Sequence, residues 1–343
     1  MAPFIMNPFR FGGGGEVGSW KELDRTTLGS AGDSISVASL ADKRYYMVLG
    51  NNIPSGSTWW DQRINNDSGS NYASRRSANG AADTTNVSQT EMITPLSFNT
   101  QGFSVGYMSN LSSKEKLWQD SAIWQSTAGA GTAPQRYEMV SKWANISNAI
   151  NRFDRINGDS GSYNTGSEVV VLGYDPTDTH PVEDNFWQEL ASVTASGSSD
   201  TLSSSITAKK YLWIQGFTEN TTGSMAPRVG NTTLDSGNNY ATRLSSNGGA
   251  EDVTTLQDSI TGLTNNTPIF WNMFIINNAS NEKLMIWHVA RQSTAGAGNF
   301  PKRIEGVTKW ANTSNQIDIV GFVSTTGGST INSNSIMKVW GSD

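Results

Sequence analysis

The chain has 343 residues, a net charge of −6 and no cysteine, which excludes disulfides and thiolate metal centres. With that acidic balance and no Lys/Arg-rich stripe, a nucleic-acid partner is excluded as well. Hydrophobic residues are 36% and charged ones only 16%, while 12 Trp supply large buried areas; short strands joined by small Gly, Ser, Thr and Asn turns give this balance, and a helical bundle does not.

Residues 1–19 read as a flexible N-terminal arm. Phe9-Arg10-Phe11 precedes four glycines, Gly12 to Gly15, so the aromatic tip is tethered and suited to docking on a neighbouring subunit. Pro3 and Pro8 interrupt the mildly apolar start, which is too short for a signal peptide or a membrane span, and no other stretch is long and apolar enough for one. No membrane partner is expected. A particle released by lysis would carry such a chain outside a cell.

Residues 20–174 form the first of two copies. Ser34-Ile35-Ser36-Val37 alternates polar and apolar, as a half-buried strand does. Tyr45-Tyr46-Met47-Val48-Leu49 is continuously apolar, as is Val169-Val170-Val171-Leu172 at the end of the copy. Residues 175–185, with Pro176 and Pro181, read as a stiffened linker. The second copy, 186–343, has Tyr211-Leu212-Trp213-Ile214, the very apolar run Ile269 to Ile276, and a last strand from Ile336 to Trp340 that ties the C-terminus into a sheet.

The copies are written in nearly the same words. Gln125-Ser126-Thr127-Ala128-Gly129-Ala130-Gly131 returns as Gln292 to Gly298, and Lys142-Trp143-Ala144-Asn145 as Lys309 to Asn312, both 167 positions on. Asp67-Ser68-Gly69-Ser70-Asn71-Tyr72 returns as Asp235-Ser236-Gly237-Asn238-Asn239-Tyr240 at 168. A period of this length is a domain, not a solenoid repeat. The expected fold is therefore all-β: two tandem antiparallel β-sandwiches of jelly-roll or lectin-like type.

Asp67, Asn71 and Tyr72, with Asp235, Asn239 and Tyr240, form a turn by their chemistry: Asp caps the backbone two residues on, and Gly and Asn accept positive φ. The same oxygens suit Ca²⁺, but with so few other acids beside them a structural turn is the preferred reading, and no cofactor is expected. The Gln125–Gly131 segment lacks the Gly-Lys-Ser/Thr of a phosphate loop. It reads as a tight loop whose small residues let another backbone come close, in its own domain or in another subunit.

Catalytic signals are few. His180 and His288 do not recur and fit no nucleophile or metal pattern. Glu115/Glu282, Glu138/Glu305 and Asp33/Asp200 do recur, the only hint of paired carboxylates, and the chain reads as no enzyme. Tryptophan says more. Trp20/Trp187 and Trp143/Trp310 recur as core anchors. Trp59-Trp60 stands where copy two has Pro227-Arg228, and Trp118 and Trp124 where it has Met285 and Arg291. These four, with Phe9 and Phe11, are the candidates for ligand or subunit contact; of Trp59 and Trp60, neighbours on a strand, one faces outward.

The set formed by Trp20-Lys21-Glu22-Leu23, the Arg44-Tyr45 strand, the Asp67–Tyr72 turn and Gly166-Ser167-Glu168-Val169-Val170-Val171-Leu172-Gly173 resembles β-sandwich structural proteins of tailed phages and related marine viruses. The resemblance covers nearly all of both copies. It implies a virion component, a capsid shell or decoration protein or a tail-associated one, with no catalytic residues. Its partners would be further copies of itself, as in a trimer with six lobes, and other virion proteins. It would be assembled in the host cytoplasm and reside in the extracellular particle. The rival expectation is a pair of carbohydrate-binding modules gripping a host surface glycan through Trp59 or Trp60 and the Asp67 and Asp235 loops.

Overall fold

The computed structural model describes residues 19–93, 97–264 and 267–343, so Phe9, Phe11 and the glycine run lie outside the described residues. The first copy contributes β1 (Lys21–Thr27), β2 (Ser34–Ala38), β3 (Tyr45–Asn52), β4 (Asp61–Ile64), β5 (Tyr72–Ala78), β6 (Thr84–Gln89), β7 (Gly102–Ser109), β8 (Lys116–Trp124), β9 (Gln135–Trp143), β10 (Arg152–Ile156) and β11 (Glu168–Tyr174). They make an eight-stranded sheet, β1-β11-β3-β7-β8-β9-β5-β6, and a three-stranded one, β2-β10-β4.

The second copy contributes β12 (Gln188–Thr194), β13 (Thr201–Ser205), β14 (Tyr211–Thr218), β15 (Ser224–Asn231), β16 (Thr233–Leu234), β17 (Tyr240–Ser246), β18 (Glu251–Gln257), β19 (Leu263–Thr264), β20 (Ile269–Ile276), β21 (Lys283–Arg291), β22 (Lys302–Trp310), β23 (Ile319–Ser324) and β24 (Ile336–Ser342). Its large sheet runs β12-β24-β14-β20-β21-β22-β17-β18, the order of the first copy strand for strand, and β13-β23-β15, extended by β16 and β19, forms the smaller one. The protein is thus all-β, two tandem antiparallel sandwiches from one duplication. Among the described residues no helix is long and apolar enough to cross a membrane.

The strand patterns follow from what covers each face. In β2, Ile35 and Val37 are buried and their neighbours are not, because only one face of the small sheet meets the core. In β3 both faces are covered. Tyr46 and Val48 point into the first sandwich, while Met47 and Leu49 point out of it and are buried all the same. The run Ile269 to Ile276 behaves alike: Trp271, Met273 and Ile275 face inward, Phe274 and Ile276 outward.

What buries the outward residues is the other copy. Besides the core of each sandwich there is a third, containing Met47, Leu49, Phe103, Val105 and Ile123 of copy one and Trp213, Phe274, Leu284, Ile286 and Val307 of copy two. β21 lies against β7 and β8, and β22 against β9. The molecule therefore has four layers, a small sheet, two large sheets face to face and a second small sheet. Phe103 and Tyr211 meet across the centre at 6.3 Å. Beside them the buried Glu168 carboxylate of copy one accepts from Tyr211 Oη at 2.6 Å and from Lys210 Nζ at 2.9 Å. Burial alone would raise its pKa, but the bonds from Thr27, Tyr211 and Lys210 outweigh that and hold it below the usual value.

The segment between the copies is fastened down. Lys43 pairs with Asp178, Lys21 with Asp184 at 2.7 Å, and Phe186 N donates to Trp20 O at 2.8 Å. Its prolines flank a clamped turn.

Candidate functional site

The two recurring motifs build one unit. Asp67 Oδ1 accepts from Gly69 N at 2.8 Å, and its Oδ2 accepts from Asn71 Nδ2 at 2.9 Å and from Trp143 Nε1 at 2.7 Å. Asp235 repeats all three with Gly237, Asn239 and Trp310 at 2.7, 2.9 and 2.6 Å. Tyr72 Oη donates to Ile64 O at 3.2 Å and Tyr240 Oη to Val229 O at 2.7 Å, each tying the turn to the small sheet. Both oxygens of each carboxylate face N–H donors, an arrangement that favours an anion's own turn over a cation. Burial pushes the Asp67 pKa up, the Trp143, Asn71 and Gly69 bonds push it down, and the net is downward.

Three of the four unshared tryptophans pack inside the first sandwich, Trp118 also bordering a groove at its surface. Trp60, Trp118 and Trp124 are all buried in the first sandwich. Trp59 alone is half-buried, its ring lying over Gly158, where a Cβ would come within 2.8 Å of the ring. The difference between the copies is an exchange of core volume. Where copy one has Trp60, Trp118 and Trp124, copy two has Met225, Met285 and Arg291; where copy one has Ser104, Asp120 and Arg155, copy two has Trp271, Trp287 and Phe322. Close packing demands such compensation.

That exchange leaves copy one with a buried ionic cluster. Arg155 is fully buried among Asp61, Gln62 and Asp120. It donates to Ser104 Oγ at 3.1 Å, and its guanidinium lies 5.3 Å from the Trp60 ring centre. Gln62 Nε2 donates to Asp120 at 3.2 Å. Burial pushes the Asp120 pKa up to about 6, with Arg155 and Gln62 opposing. A raised carboxylate favours the folded state most below its unfolded pKa and loses that advantage as pH rises through the folded value. Relative to Asp120→Asn, the wild type is therefore expected to lose up to about 3 kcal/mol of unfolding free energy between pH 4 and pH 7. Parallel urea titrations of both proteins check this; a constant difference across the range would refute it.

The recurring carboxylates are also occupied. Glu138, His288 and Glu305 bring ligand atoms within 4.8 Å of one another where the sheets meet. Arg136, however, lies 2.7 Å from Glu138 and 3.7 Å from Glu305, with Arg303 3.3 Å from Glu305. Guanidinium groups already pair with both acids, Arg136 being shared with Glu251 of copy two, which makes the cluster an ion-pair clamp between copies. Burial holds the His288 pKa below its ordinary value despite Glu305. Glu115 pairs with Lys142 at 3.0 Å.

The interface itself is the feature to which the sequence motifs lead. The Gln125–Gly131 loop of copy one reaches across to copy two. Lys309 Nζ donates to Gln125 O at 3.0 Å and to Thr127 O, Gly129 N donates to Glu282, and Leu256 N donates to Ala130 O at 3.0 Å. Arg243 Nε donates to Pro134 O at 2.8 Å, and Arg136 Nε to Glu251 at 2.9 Å. The backbone that its small residues allow to come close belongs to the other copy.

Among the described residues, none of the copy-one loop's contacts to copy two has a counterpart from the copy-two loop to copy one. The equivalent loop of copy two, through Phe300, is exposed from Thr294 onward. The equivalent face of copy one is open too. Leu117 is 58% exposed where Leu284 is 0%, and Val140 is 51% exposed where Val307 is 1%. Beside it runs a groove of about 1020 Å³ lined by Tyr45, Tyr107, Val87, Leu117 and Val140, with Trp213 of copy two among its walls. Sequence reading found the loop and the Lys142/Lys309 motif, but not that they are the two halves of one contact. The signal was there: both halves recur word for word.

No protein-family model matches the chain, and no curated protein matches it. Among solved structures, the mouse laminin alpha1 chain, domains LG4-5, is similar at 10% identity and a TM-score of 0.20, over 98% of this chain and 93% of that one. Human GIVD cytosolic phospholipase A2 is similar at 7% identity and a TM-score of 0.13, over 80% of this chain and 33% of that one. Likenesses of this size carry no argument about what the chain does.

Proposed function

We propose that the chain is a non-enzymatic structural protein of a viral particle, a shell, decoration or tail-associated component that works by surface complementarity. The observation that carries this reading is the third core: the outer face of each large sheet, which a free sandwich would turn to water, is built to bury against another sandwich. The sequence resemblance to phage virion proteins points the same way, and so does the occupation of the recurring acids by Arg136, Arg303 and Lys142. Immunogold electron microscopy of particles from the source culture, with antibody against the chain, tests it. Label on heads or tails is expected; clean particles with label only on cells or debris would overturn it.

A second reading has one observation in its favour. The groove beside Leu117 presents Tyr45 and Tyr107, and aromatic faces suit sugar rings. On this reading the protein grips a host surface glycan, and Tyr107→Ala would abolish binding on a glycan array.

A further inference from the structure

We propose that the open face of copy one receives the Gln292–Gly298 loop of a second copy of this chain, so that chains join head to tail by the contact already made inside each of them. The inference rests on the reading of the protein as an assembly component and specifies its partner.

The argument is one of equivalent parts. Within the chain, a loop of sequence Gln-Ser-Thr-Ala-Gly-Ala-Gly sits on a Glu-Lys turn and a Lys-Trp-Ala-Asn strand end, through Glu282 and Lys309. The remaining loop, Gln292 to Gly298, has the same seven residues, and the remaining receiver has the same Glu and Lys as Glu115 and Lys142. The internal contact is made largely to loop backbone, two carbonyls taking the lysine and one N–H facing the glutamate, so it transfers without regard to side-chain differences. Gly129 has φ +86 and Gly296 φ +94, so the two loops share a left-handed turn at that glycine, while Ser126, at φ +63, has no positive-φ counterpart at Ser293. In copy two the Glu and Lys are buried under the loop. In copy one they are half-exposed and pair with each other.

The rest of the face fits the same occupant. Val87, Leu117 and Val140 are exposed side by side along the groove. Phe300, 86% exposed, stands where copy one has Ala133, a residue buried at the internal contact. The larger knob, on copy two, belongs to the loop whose proposed receiver, the face of copy one, carries the groove. A two-fold pair would return each contact, residue for residue; this one does not, and is heterologous. A heterologous contact repeated from chain to chain closes into a ring if its rotation permits and otherwise grows into a filament.

Sedimentation velocity of the full chain over a concentration series tests this with two variants at exposed positions. Val140→Asp disables the face, and Ala297→Arg, at the equivalent of the interface residue Ala130, disables the loop. The wild type is expected to reach at least double the 37.0 kDa of one chain, and each variant alone to remain at one chain. An equimolar mixture retains one intact face and one intact loop and should form dimers that grow no further. Circular dichroism of each variant verifies the fold. A wild type that stays monomeric throughout, or variants that associate as the wild type does, would overturn the inference. A monomer that still labels particles would leave the structural reading standing with another partner, whereas head-to-tail chains absent from particles would remove that reading and keep the contact.

Discussion

Replacing Arg155 by Met should cost about 3–5 kcal/mol of unfolding free energy at pH 8, the range found when one partner of a buried ionic cluster is removed. Arg155 enters the first sandwich on β10, between Ile35 of β2 and Gln62 of β4, with Asp61 and Asp120 as the carboxylates that act on its charge. Without the guanidinium the buried Asp120 keeps its hydrogen bond from Gln62 but loses the positive charge that opposes its burial. The loss should shrink below pH 6, where Asp120 takes up a proton and no longer needs one. Copy two supplies the control: it fills the same positions with Phe322 and Trp287 and needs no charge at all. Asp120→Leu combined with Arg155→Met should therefore recover much of the loss, since apolar replacement of a whole buried ion pair is often neutral or better. Denaturant melts of the two single variants and the double form the cycle. Equal losses in Arg155→Met and in the double would mean that the arginine stem fills space and its charge does little.

Much of this architecture is legible in the sequence, for definite reasons. A repeat at 167 or 168 positions is a domain duplication on its face. The Asp67 turn announces itself because Asp, Gly, Asn and Tyr each have one task there. Ser34–Ala38 shows its one-sided burial by alternation. The failures have reasons too. Trp118 and Trp124 read as contact residues because they do not recur, yet a core conserves volume and not identity, and Trp271 and Trp287 restore at other positions what Met225 and Met285 give up. The apolar runs of β3 and β20 reveal burial on both faces but not the neighbour that causes it. Leu117 and Leu284 are the same residue at the same place in the same fold, and their difference in environment arises wholly from which sandwich stands opposite. No local pattern contains that.

This identity of residue with difference of surroundings yields the second large effect. Leu284→Ala is expected to lower the unfolding free energy by about 2–5 kcal/mol, as deletion of a fully buried leucine does, whereas Leu117→Ala in dilute solution should stay within about 0.5 kcal/mol. Leu284 is wholly buried in the third core beside Ile286 and Val307, and the void left by its side chain lies between two sheets of eight strands that cannot close on it without moving as units. Leu117 has water on one side already. Thermal or urea unfolding of the two variants decides the matter, and its meaning reaches past stability. A large loss at Leu284 alone establishes the face between sheets as a true core, so the two sandwiches unfold as one body and the open face of copy one is a core lacking its other half. Equal, small losses at both positions would mean that the copies pack loosely, and the argument from the closed face to the open one would then fail with them.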